Sequence, residues 1–257
     1  MKALGLAVLV SSAAYAGSVA DVRAQVPRMD MLKRGPLASS IRPALETLGR
    51  DAVTDLIAAA TEPRDPSWTE SAVLAWRVSV LEALGTLRDP RARSVFERSL
   101  ADEAGHFLVQ RAAAEGLARL GDFAMLRSFI GRDAVVAGIG ALRRPEVAQL
   151  LRAELAKQPS AARAKLLVKA LGDVGNAWAW KTLPDRELEH ATRNAAAEGL
   201  VEAFVGWDGE VRQAASKALF VVDAAATPVL IAQAKASGHR VAELEDLQLR
   251  LLRNPVR

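Results

Sequence analysis

The residues best able to carry chemistry in this chain are few and scattered. Its three histidines, His106, His190 and His239, stand far apart. Asp102 and His106 share the i, i+4 spacing that places two side chains on one helical face. They also straddle Ala104-Gly105, so a metal pair competes with a solvated turn between helices. No Gly-rich phosphate loop, Gly-x-Ser-x-Gly elbow or His-Glu-x-x-His helix is present. The chain has no cysteine, which excludes disulfides, thiolate metal sites, cysteine nucleophiles and a lipid anchor on cysteine. The expectation is therefore no catalytic residue, no metal and no cofactor.

Residues suited to binding are more prominent. Trp178 and Trp180 are two positions apart, about 200° around a helix, so their rings cannot share a face. One arrangement packs one ring and turns the other outward as an amphipathic anchor. The competing arrangement uses both rings to fill space beside a short helix ending at Pro184. Trp76 reads as core, Trp68 as a packing plug in an insertion and Trp207 as a ring folded over an irregular joint. Arginines recur at the joints and in the second helices, among them Arg91, Arg127, Arg143, Arg144 and Arg152. Either they pair with acids of neighbouring turns, or they form a basic stripe favouring an acidic peptide or anionic surface. With Trp178 and Trp180, the candidate binding residues are Arg91, Arg127 and Arg152. The formal charge of +4 is small and dispersed, so nucleic acid is not the expected partner.

Helices must position these residues. Ala112-Ala113-Ala114-Glu115-Gly116-Leu117 recurs letter for letter as Ala195-Ala196-Ala197-Glu198-Gly199-Leu200, and more loosely around Ala214-Ala215-Ser216-Lys217-Ala218-Leu219. A glycine costs roughly 0.8–1 kcal/mol against alanine inside a helix. Its return at the same offset marks a place where helices approach closely. Anchor leucines at 45, 84, 117, 171, 200 and 219, with Ile139 among them, are separated by 39, 33, 22, 32, 29 and 19 residues. These intervals scatter around the length of two short helices with turns, the signature of a helical solenoid.

Each first helix is expected to end at Leu-Gly or Leu-x-x-Leu, with glycine taking the left-handed turn. Asp89-Pro90, Asp122, Asn176 and Thr227-Pro228 then offer starts for the next helix. Second helices are predicted at 90–100, 123–130, 145–157, 177–183 and 228–236. A last amphipathic helix within 238–253, with Val241, Leu244, Leu247 and Leu251 on one face, is expected to cap the array. Oligomerisation is its alternative use.

The first sixteen residues read differently. Lys2, an apolar run from Ala3 to Val10 and the small-x-small end Ala14-Tyr15-Ala16 make a secretory signal peptide. Later cleavage points extend to residue 24, and the alternative is an uncleaved apolar helix. The run is too short for a stable membrane anchor. The expected organisation is a leader over 1–16, an irregular segment over 17–39, one continuous repeat array over 40–237, and a cap helix and tail over 238–257.

The Leu-Gly-x-x-x-Asp-Pro joint of Leu84 to Pro90, with the Ala-rich helix, resembles the HEAT repeat and the short HEAT-like repeats of bacterial phycobilisome lyases. That resemblance implies an all-α fold, a right-handed α-α superhelix of about 5–6 irregular helical hairpins, binding partners on a concave wall. Glu189-His190 reverses the His-Glu order of HEAT-like deoxyhypusine hydroxylases, which argues against that activity. Enzymes similar in fold, the alkylpurine DNA glycosylases and bilin lyases, are disfavoured by the leader. The combined expectation is a periplasmic or secreted, non-enzymatic scaffold for a protein or peptide partner, an acidic one if the arginines line the wall.

Overall fold

The computed structural model of the chain describes residues 17–32, 37–181 and 183–253. Among them every regular element is helical: fifteen α-helices, short 3-10 turns and no strand. The chain divides into two compact units between Asp89 and Pro90. That division falls inside the stretch expected to be one array, and each unit has its own core. The proposed leader, 1–16, and residues 254–257 of the tail lie outside the described residues.

The first unit holds α1 (Val19–Leu32), α2 (Leu37–Glu46), α3 (Val53–Thr61) and α4 (Glu70–Leu87). Helix α1 occupies most of the segment expected to be irregular. Pro27 and mixed charges suggested a loop there, but Val19, Val22 and Val26 form a buried stripe at helical spacing. Ser18 and Asp21 close its start reciprocally. The Ser18 Oγ accepts from the Asp21 N–H at 3.3 Å, and the Asp21 carboxylate accepts from the Ser18 N–H at 2.7 Å, a capping box. The Ser18 N–H, with the Ser18 hydroxyl donating to the same carboxylate at 3.0 Å, holds the Asp21 carboxyl below its ordinary pKa.

Helix α4 packs on α1, α2 and α3. Thr69 caps it by accepting from the Ala72 N–H, and donates to Asp30 of α1 at 2.7 Å. Trp68 and Trp76 meet edge to face with centroids 6.0 Å apart, both buried, as a plug and a core residue should.

The second unit begins with a 3-10 turn and α5 (Arg93–Ala101), followed by α6 (Phe107–Leu120), α7 (Phe123–Ser128), α8 (Asp133–Ile139) and α9 (Pro145–Ala156). Then come α10 (Ala161–Val174), α11 (Ala177–Trp180), α12 (Arg186–Gly206), α13 (Gly209–Val222), α14 (Thr227–Ala236) and α15 (Val241–Leu252). Asp122, Ser160, Asn176 and Asp185 each accept from an N–H of the helix they precede, leaving fewer first-turn donors unmet. Helix starts near 93, 123, 145, 177 and 227 agree with the expected second helices, and α15 with the predicted last helix.

Helix ends follow expectation in part: α4 and α6 end at Leu87 and Leu120, each the second leucine of a Leu-x-x-Leu. Gly121 takes the left-handed position after α6 with φ 83°, but Gly85 and Gly172 lie inside α4 and α10. The left-handed caps after α4 and α13 are instead Arg88 and Asp223. The interior glycines of the second unit serve close approach. A Cβ on Gly138 of α8 would fall 2.7 Å from the Arg111 carbonyl oxygen of α6, and one on Gly172 would meet Ala218 of α13 at 3.1 Å.

Two successions of neighbours emerge. Helices α6, α8, α10 and α13 pack each on the next, and so do α9, α12 and α14. The repeated hexapeptide therefore occupies two different situations. Gly116 of α6 lies under the Phe96 ring of α5, whereas Gly199 of α12 faces Leu171 of α10 and Arg152 of α9. The long α12, not the four-residue α11, lies against α9.

Candidate functional site

The candidate anchor at the α11 turn divides as helical geometry requires. Trp180 is 1% exposed, and its indole N–H has no hydrogen-bond partner among the described residues. Trp178, two positions earlier, is 57% exposed. Asn176 sets this direction by accepting from the Trp178 N–H at 3.0 Å. The Lys181 ammonium lies 3.4 Å from the Trp178 ring centroid, a cation–π contact on one ring face. Helix α11 rests on α13.

The candidate arginines do not converge. Arg91 lies exposed in the turn before α5. Arg127 is exposed near the end of α7 and has no side-chain partner among the described residues. Arg152 lines a cleft of about 530 Å³ with Glu198, Val201, Glu202, Leu230 and His239. Its guanidinium grips Glu202 bidentately, Nε to Oε2 at 2.7 Å and Nη2 to Oε1 at 2.5 Å. Nη1 donates to Glu198 at 2.6 Å. The Glu202 bonds are the foremost reason that the Arg152 pKa is raised above its ordinary value. An arginine so held has little donor capacity left for an acidic ligand.

Asp102 and His106 act as turn residues. The Asp102 carboxylate accepts from the Ala104 N–H at 3.1 Å, and His106 Nδ1 accepts from the Leu108 N–H at 3.1 Å to cap α6. Among the described residues no three His, Asp or Glu side chains come close enough to hold a metal ion.

Glu189 is not among the residues that sequence spacing marks for binding, yet it is the only buried carboxylate among the described residues. Burial pushes its pKa up, but hydrogen bonds from Arg186 and Arg193 outweigh burial and hold it below its ordinary value. Arg193 donates to Glu189 at 2.7 Å, to the Val222 carbonyl at 2.9 Å and to the Asp223 carbonyl. One guanidinium thus ties α12 to the carbonyl end of α13, where positive charge is favoured.

A second cleft lies between α13 and α15. About 510 Å³ in volume, it is lined by Arg212, Gln213, Ser216 and Lys217 from α13 and by Glu243, Asp246 and Arg250 from α15. Arg250 is paired with Asp246 at 2.9 Å, but the α13 cations are loosely held. Arg212 lies 3.5 Å from Asp208 and 3.4 Å from Glu243. Lys217 is exposed and has no side-chain partner among the described residues. The signal for this cleft in the sequence is the spacing 212, 213, 216, 217, which shares one helical face. It lies in a helix body, as Arg152 does, so no joint marks it.

Among the described residues no helix is long and apolar enough to cross a membrane. Comparison with protein-family models and with curated proteins finds no match.

Proposed function

We propose that this chain is an exported, non-enzymatic helical-repeat scaffold that binds a segment of another protein, with Trp178 as an anchor. The exposed Trp178 ring is the observation that carries this reading. A large ring fixed at a turn, one face on Lys181, offers apolar area at small entropic cost to a partner. Nothing in the core of the second unit requires it to face solvent, whereas Trp180 already fills the interior beside it.

The two successions of helix neighbours support a stack of HEAT-like hairpins, in which α6, α8, α10 and α13 form one layer and α9, α12 and α14 the other. In that arrangement α10 pairs with α12, α11 is an insertion between them, and the partner lies along the concave wall. The residues just beyond the leader support export. The Ser18–Asp21 capping box begins two residues beyond Ala16, so cleavage there leaves α1 whole. Cleavage after Ala24 would remove Val19 and Val22 from a core in which both are buried.

The test compares wild type with Trp178→Ala in capture of partners from periplasmic extract, after N-terminal sequencing of the mature protein. A start at Gly17 and loss of the captured species with the variant are expected. An intact N-terminus in the cytoplasm, or unchanged capture, contradicts the proposal.

A further inference from the structure

The structure assigns the groove between α13 and α15 to the carboxylates of an acidic peptide segment, a reading that rests on the scaffold function proposed above and names the partner's chemistry. Arg212 and Lys217 of α13 face Glu243 and Asp246 of α15 across the groove, and a third cation, Arg250, stands beside those carboxylates on α15. The donor inventory is more unequal than the charge. Arg250 uses Nε on Asp246 at 2.9 Å and Nη1 on the Ser216 hydroxyl at 3.3 Å, leaving further N–H groups of its planar fork. Lys217 contributes three donors with no side-chain acceptor among the described residues, and the exposed Gln213 amide lines the same groove.

Arg212 completes the set. Its two carboxylates lie at 3.4 and 3.5 Å, distances at which charge-assisted bonds are weak, and Arg240 competes for Asp208 at 3.0 Å. An incoming carboxylate can therefore recruit Arg212 and Lys217 without breaking a short ion pair. The floor is held by the buried Ser216 hydroxyl, which keeps Arg250 across the groove. Some other surface charges of this protein sit closer, Lys165 to Glu210 at 2.7 Å and Arg93 to Asp122 at 2.7 Å, whereas Arg42 is as loosely held, 3.5 Å from both Glu46 and Glu82. In this groove the donors exceed the acceptors, so the complementary ligand is a chain of acceptors.

The probe is a fluorescein-labelled hexaglutamate peptide titrated into the mature protein at low salt, with hexaglutamine and hexalysine as controls. Gln213 and Lys217 are exposed, so Lys217→Glu with Gln213→Glu changes the groove and leaves the core alone; Lys217→Ala is the milder second variant. Wild type is expected to prefer hexaglutamate. The double variant should bind it at least about tenfold more weakly, and Lys217→Ala should fall between. Arg127→Glu, an exposed charge on α7, should leave binding unchanged. Equal binding by wild type and the double variant overturns the assignment, as does equal loss with Arg127→Glu or indifference of wild type to the peptide's charge. If hexaglutamate is ignored while partner capture still depends on Trp178, the groove assignment fails and the scaffold stands. If hexaglutamate binds at the groove while capture ignores Trp178, the anchor proposal fails instead.

Discussion

The α9–α12 and α13–α15 regions both carry many charged side chains and use them in opposite ways. On α12, Glu189 is enclosed by Arg186 and Arg193, and Glu198 and Glu202 hold Arg152 of α9 by short bonds. Between α13 and α15, Arg212 sits at long distances from two acids and Lys217 has no side-chain partner among the described residues. The first region's charges act as fasteners between helices. In the second region Arg212 and Lys217 are available, while Arg250 is held by Asp246 at 2.9 Å. Counting arginines cannot separate these cases; counting unmet donors does.

Loss of Glu189 should produce the largest effect on stability. Glu189→Ala leaves Arg193 beside the α13 terminus without its carboxylate and should destabilise the protein by on the order of 3 kcal/mol in chemical denaturation. The pH dependence has a fixed sign. Because the folded-state pKa of Glu189 is depressed, its stabilisation is fully present above the unfolded carboxylate pKa and is lost as pH falls through the folded value. Wild type should therefore lose more stability on acidification below about pH 4.3 than Glu189→Gln does. Equal acid sensitivity of the two would show that the Glu189 pairing is not a fastener.

Arg152→Ala comes next. This pair is partly exposed, so removal should cost about 1 kcal/mol or less despite the bidentate geometry. Hexaglutamate binding should not weaken with this variant, because Arg152 is already engaged; a loss matching the Gln213/Lys217 double variant would erase the contrast between the regions. The smallest stability effect belongs to Lys217→Ala, expected within about 0.5 kcal/mol of wild type, since an exposed side chain without a partner contributes little. A larger change would mean that Lys217 is a structural residue.

Helix starts were legible because capping chemistry is local: Asp122 and Asn176 announce α7 and α11 through their own side chains. That Trp178 and Trp180 lie on different helical faces was legible from turn angle alone, but whether both rings are buried was not, and the exposure of Trp178 decides it. Helix ends were less so. Leu84-Gly85 and Leu171-Gly172 looked like stops, but glycine inside a helix also permits close packing, and only the neighbouring helix decides which role applies. The identical hexapeptides of α6 and α12 concealed the different neighbours of the two helices for that reason.

Helix α1 was hidden by Pro27, although its buried valines kept a helical period. Among the candidate arginines, Arg152 could not be told from a binding residue because Glu198 and Glu202 lie far along the chain. Pairings set by tertiary approach leave no trace in local spacing. The α13–α15 groove depends on the same kind of information, with the opposite outcome.

Hydrogen–deuterium exchange of the mature protein, with and without its captured partner, tests the central claim most directly. The account predicts added protection on α13 and α15 and around Trp178, with the α12 segment from 186 to 206 unchanged. Protection confined to α12 and α9, or no protection anywhere in the second unit, would contradict it.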